Sequence, residues 1–180
     1  LELCACTGGL RHRQEVRLLK ELWQKNEEGY RKAIVARTAA RLFLKCKRKP
    51  LWLISDRAIK ADDNGEALFR FMQDKPEIDC RFVINKDCAD FERMAKVGKV
   101  VDRRSLHNKV LALACDAVIS SQMEVEVYNP FNGHDAPYHD LYMKRKVIFL
   151  QHGIIQNDLS GWLKRRNKNL SGFVVSAKPE

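Results

Sequence analysis

The sequence predicts an α/β domain: a parallel sheet with helices on both faces, preceded by a basic helical segment. Three observations predict it. Six short apolar, largely β-branched runs follow Pro50, stretches of helix-forming residues separate most of them, and residues 11–48 are built of helix formers with Gly29 as the one breaker. Runs this short and continuously apolar suit strands buried on both faces, which is the habit of parallel sheets.

In chain order, the stretch 11–48 is rich in Leu, Ala, Lys, Arg, Glu and Gln, and Gly29 divides it into two helices. In its second part Val35, Ala39, Leu42, Phe43 and Cys46 share one side at helical spacing, with Arg37, Arg41, Lys45 and Arg48 over much of the rest. Such a helix fits either of two roles: lying on anionic lipid, or packing on its own domain with a solvated basic face. Leu51-Trp52-Leu53-Ile54 is the first strand. Asn64 is placed to cap a helix through Glu66–Gln73 that buries Leu68, Phe69 and Met72. Cys80–Ile84 is the second strand, a short helix spans Ala89–Ala95, and Val97–Val101 reads as a third, brief strand. Ser105 caps a helix through Ala114. Ala117–Ile119, Val147–Leu150 and Phe173–Val175 complete the strands, with a helix beginning near Leu159–Trp162.

Residues 122–142 break this rhythm. The segment is polar, contains Pro130, Gly133 and Pro137, and is long for a connection, which marks it as functional or mobile. It leaves from the carboxyl end of the Ala117–Ile119 strand, where open α/β sheets bind ligands.

Charge divides the chain at the same place as texture. Residues 1–50 hold 13 Lys/Arg against 5 Asp/Glu, whereas the remainder is nearly balanced. We therefore expect a basic helical segment over 1–49 and an α/β domain over 50–180. Six cysteines without zinc-like spacing, and no secretory leader ahead of them, predict reduced thiols in a cytoplasmic setting. No apolar run approaches the roughly 18 residues of a membrane span. A start at Leu1 and a stop soon after an apolar run predict a piece of a longer protein.

Motifs exclude more than they name. The loop after the first strand, residues 55–65, has neither a dinucleotide-binding glycine fingerprint nor a P-loop, and the chain carries no zincin helix, nucleophile elbow or C-x-x-C. His134, Asp135, His139 and Asp140 lie in a Pro/Gly loop that gives no reason for coordination distance, so no metal and no cofactor is expected. Arg103 and Arg104, before the Ser105 cap, and the cluster Lys164-Arg165-Arg166 are candidate phosphate contacts or plain surface charge. The most informative segment is Phe149-Leu150-Gln151-His152-Gly153, where a strand ends in His then Gly. An imidazole with a pKa of about 6.5 can take a proton from an attacking hydroxyl at neutral pH, and Gly153 leaves room beside it.

Four separated segments resemble the CDP-glycerol glycerophosphotransferase family. They are Trp52–Arg57, Ala61–Phe69, the stretch 105–121, and Val147–Ile154 continued by Asn157–Leu163. The resemblance covers about residues 51–180 and implies one Rossmann-like half of a GT-B arrangement, the acceptor side, with a donor domain beyond Glu180. It implies transfer of glycerol phosphate or a related polyol phosphate from a CDP-activated donor to a polyol-phosphate or glycosyl-lipid acceptor, peripheral at the inner face of the cell membrane. It makes His152 the general base. The residues expected around substrate are Gly153, Asp158, Ser120, Ser121, Asp56, Arg57 and Asn64. Residues 11–49 are then a candidate contact for anionic membrane, and nucleic acid is not expected as a partner. Two competing readings stand beside this one: a GT-B half using a nucleotide sugar, and a non-catalytic module that binds anionic membrane.

Overall fold

The computed structural model describes residues 8–25, 27–124, 127, 129–131, 144–151 and 170–175, with side chains from Gln14 onward. Two helices lead, α1 (Gly8–Gln24) and α2 (Glu28–Cys46). Then come β1 (Leu51–Ser55), α3 (Asn64–Met72), β2 (Asp79–Ile84), α4 (Asp90–Ala95), β3 (Val100–Asp102), α5 (Leu106–Ala114), β4 (Ala117–Ser120), β5 (Lys146–Phe149) and β6 (Gly172–Phe173). The strands form one sheet in the order β3-β2-β1-β4-β5-β6, and every pairing is parallel. This is the Rossmann-like α/β arrangement, with its order reversing between β1 and β4.

Period-two alternation sorts the strand residues into two cores. Leu51, Leu53, Val83, Val101, Val118, Val147 and Phe149 meet Leu111 and Ala112 of α5 on one face. Ile54, Phe82, Ile84, Ala117 and Ile119 meet Phe69 and Met72 of α3 and Met94 of α4 on the other. Phe69 and Phe82 are stacked at a tilt with centroids 5.4 Å apart.

Helix α2 packs chiefly on α5, and Phe43 reaches the core beneath it. Ala33, Ala36 and Ala40 form a contact with Leu113, Ala114 and Phe131. The expected apolar face holds only in part: Phe43 packs on the core, but Val35 and Leu42 are 43% and 60% exposed, and Cys46 is exposed as well. Small alanines win the contact because they let two helix backbones approach closely, which larger side chains prevent. Arg37, expected on the solvated face, is instead buried, and its guanidinium donates to Glu15 of α1 at 2.6 Å. Arg41 reaches the same carboxylate at 2.7 Å. Burial pushes the Glu15 pKa up, but these two cations more than reverse that and leave it below its ordinary value.

Three further boundaries differ from expectation. The break between the first two helices falls at residues 25–27, so Gly29 lies in the first turn of α2. β3 begins at Val100, because the Val97 and Gly98 amides close a turn on the Met94 carbonyl. The cap of α3 is Asp63, whose side chain accepts from the Asn64 amide at 2.8 Å. Ser105 caps α5 as expected, accepting from Asn108 N at 3.0 Å. Within the long connection after β4, Met123 and Phe131 are buried, so the described parts of that segment are docked on the domain.

Glu66 ties α3 to α4. Its carboxylate accepts from Arg93 at 2.8 Å and from Arg70 at 2.9 Å, and Arg93 also donates to the Ala61 carbonyl. The Arg93 guanidinium first, and Arg70 with it, holds the Glu66 pKa below its ordinary 4.5. A depressed folded-state pKa gives stability that is present above the unfolded value and is lost as pH falls through the folded one. We expect the melting temperature to fall on acidification below about pH 4.5. Glu66→Gln should flatten that fall, as differential scanning fluorimetry at pH 7 and pH 3 would show.

Candidate functional site

The site forms where β1, β4 and β5 end. β1 closes with Ser55 and hands on to Asp56, which is 1% exposed. Its Oδ1 accepts from the Gly65 amide at 2.8 Å and from the Ser121 hydroxyl at 2.7 Å. Its Oδ2 accepts from the Glu66 amide at 2.9 Å and from the Asp63 amide at 3.3 Å. Asp56 therefore sits on the N-terminus of α3, where free amides and the helix dipole favour a negative charge. Burial keeps its pKa above the ordinary carboxylate value, although the Ser121 hydroxyl and the three amides pull it part of the way back.

Approach is close enough here that only glycine fits at residue 65. A Cβ added to Gly65 would stand 2.3 Å from Asp56 Oδ1 and 2.7 Å from the Ser55 carbonyl oxygen. The same turn presents Asn64, whose amide Nδ2 donates to the Gln151 carbonyl at 2.5 Å, across 87 residues of sequence. Gln151 is buried and holds φ at 55°, the left-handed region that costs a non-glycine residue about 1–2 kcal/mol. Ser120 is buried; its carbonyl accepts from Leu150 N at 2.8 Å, and its hydroxyl accepts from Gln122 N at 3.0 Å.

Four of the expected substrate residues, Asp56, Asn64, Ser120 and Ser121, are thus brought together at the β1/β4 switch point. Both Asp56 oxygens are occupied by donors of the protein itself. Arg57 is adjacent and exposed, bridged through its backbone to Lys60. His152, Gly153 and Asp158 lie outside the described residues, as do His134, Asp135, His139 and Asp140 and the Lys164-Arg165-Arg166 cluster. Arg104 pairs with Asp87 at 3.0 Å. Among the described residues no three His, Cys, Asp or Glu side chains gather as a metal site, and no helix is long and apolar enough to cross a membrane. The described cysteines are unpaired; burial pushes the Cys80 thiol up to about 12.

Two residues at this edge were not among the expected site residues, although Gln151 stands within the Phe149–Gly153 segment. Gln151 is set apart by its backbone, and its one sequence signal is a polar residue closing an apolar strand. Gln122 has its amide Nε2 buried with no hydrogen-bond partner among the described residues, beside Ser121. Nothing in the sequence distinguished it from any other loop glutamine.

No solved structure matches the chain. It is 41% identical over 174 residues to the minor teichoic acid biosynthesis protein GgaB of Bacillus subtilis (strain 168), an alignment covering 93% of the chain and 19% of that relative. The chain thus spans about a fifth of the length of the curated relative it matches. The profile of the CDP-Glycerol:Poly(glycerophosphate) glycerophosphotransferase family matches residues 34–168, which takes in most of α2, the sheet through β5 and every expected site residue. The chain belongs to the CDP-glycerol:poly(glycerophosphate) glycerophosphotransferase family.

Proposed function

We propose that this domain is the acceptor-side half of a transferase that moves glycerol phosphate, or a related polyol phosphate, from a CDP-activated donor to a polyol-phosphate or lipid-linked acceptor in teichoic-acid-type synthesis. The observation that carries this reading is the family match across residues 34–168, laid over a sheet that reverses order where the expected substrate residues meet. His152 serves as the general base. The acceptor hydroxyl oxygen forms a bond to the donor's β-phosphorus, the bond from that phosphorus to the bridging oxygen breaks, and CMP leaves with the electron pair. The acceptor's proton passes to the imidazole.

Phosphoryl transfer depends on positioning and charge stabilisation. The links from Asp56 to Ser121 and from Asn64 to the Gln151 carbonyl support that role, because they fix three strand ends against the start of α3. Gln151 directly precedes His152 in sequence. The donor is held by a second domain, and this domain works peripherally at the inner membrane face. Exposed Val16, Leu18, Trp23, Val35 and Leu42 among the cations of α1 and α2 favour contact with anionic lipid there.

The full-length protein, given CDP-glycerol and a glycerol-phosphate-primed acceptor, should release CMP in step with acceptor elongation. UDP or GDP release from the corresponding sugar donors, with no CMP, would replace polyol-phosphate transfer by glycosyl transfer. Co-sedimentation with anionic vesicles, with and without residues 1–50, reads the lipid contact separately.

A further inference from the structure

At the opposite edge of the sheet, a second concavity joins residues that the switch-point site does not use. A cleft of about 550 Å³ opens beside the amino ends of β1 and β2. β1 alone, at roughly 3.3 Å per residue, puts about 16 Å between this edge and Asp56. Arg48 and Lys49 enter from the α2–β1 connection, Lys75 from the turn after α3, Arg81 from β2 and Lys99 from just before β3. Phe43, Met72, Pro76, Ile78 and Cys80 supply apolar lining. Asp79 is the one acid in the lining, and Arg81 and Lys99 already neutralise it at 2.8 Å each. No carboxylate among the described residues pairs with Arg48, Lys49 or Lys75; Lys49 donates to the Pro76 carbonyl, and Lys75 lies 5.2 Å from the Phe71 ring.

A concave surface with unneutralised cations over an apolar base suits a flexible ligand that alternates anionic and short carbon segments. We propose that this cleft is a secondary binding site for a chain of polyol units joined by phosphodiesters, engaging the polymer away from its reacting end. The site rests on the transferase reading for the identity of the polymer, and on the cleft's own cations for the binding. A flat bilayer would meet its rim but not its base, which favours a thread-like ligand over a membrane. Two linked contacts on one polymer raise the effective concentration of its end at the switch point.

The test is anisotropy of a fluorescently labelled, soluble poly(glycerol phosphate) oligomer titrated with this chain. Loss of two charge-assisted contacts in Arg48→Ser/Lys75→Ser should weaken binding on the order of tenfold. The charge-matched control Lys60→Ser/Lys86→Ser, at exposed positions beyond the carboxyl ends of β1 and β2, should stay close to the parent. Equal loss in both double variants would reduce the effect to bulk charge and overturn the proposal. So would unchanged affinity in the cleft variant, or binding to phosphatidylglycerol vesicles with none to the oligomer. The two readings fail separately. Absent CMP release removes the transferase reading whatever the cleft binds, and normal CMP release with an indifferent cleft variant removes only this site.

Discussion

Asp56→Ala should lower the stability of the domain by about 3 kcal/mol or more, seen as a lower midpoint in urea unfolding. Three backbone amides and the Ser121 hydroxyl converge on this carboxylate. Alanine leaves buried donors without acceptors, each costing about 1–3 kcal/mol, with water entering the vacated space to recover part. It also removes the charge from the start of α3, a loss of about 0.5–2 kcal/mol for a cap. Against a total of about 5–15 kcal/mol for a domain, that is a large share. Ser121→Ala removes a single donor and leaves the amides satisfied, so it should cost about 1 kcal/mol. Gly65→Ala should resemble Asp56→Ala, since its methyl group would occupy the space of Oδ1. A midpoint for Asp56→Ala within experimental scatter of the parent would mean the carboxylate anchors nothing.

How much of this could be read beforehand depends on how local each signal is. Alternation along Leu51-Trp52-Leu53-Ile54 distributes side chains to two cores within one strand, so the strands and the α/β class were legible. The Ser105 cap was legible for the same reason: its partner is three residues away. The buried face of α2 was not, because hydrophobicity ranks Val35 and Leu42 above Ala36 and Ala40, whereas close packing on α5 selects the small residues. β3 was placed too early because Val97 and Gly98 look extended in sequence yet finish the turn after α4.

The site divides in the same way. Ser120 and Ser121 were expected from the family resemblance, and their place at the carboxyl end of β4 follows from the strand itself. That Asp56 would face inward onto helix amides depends on contacts spanning 7 to 65 residues, and no spacing pattern encodes those. The cationic cleft at the amino edge was hidden for the same reason. Its residues come from the chain segments before β1, after α3, in β2 and before β3, and each looked like ordinary surface charge until the parallel sheet set them side by side.

His152→Ala, made in the full-length protein, should lower kcat by about a hundredfold to ten-thousandfold while leaving the Kd for CDP-glycerol within about twofold. The acceptor oxygen must lose its proton as it attacks, and an imidazole with an ordinary pKa of about 6.5 is largely in its accepting form at neutral pH. In the proposed mechanism its removal takes away proton transfer without removing a donor contact, which is why kcat and donor affinity should separate. The parent's kcat should decline on acidification through the imidazole's pKa, because protonation fills the accepting nitrogen, and the variant should lose that limb. Asn64→Ala provides the contrast. It releases the Gln151 carbonyl, which the Asn64 amide holds at 2.5 Å, but leaves the base in place. It should therefore cost far less in kcat and retain the acid limb. Should His152→Ala turn over within about threefold of the parent with the limb intact, the proton has another acceptor. Gln151 would then owe its positive φ and its tie to α3 to the packing of the sheet edge alone.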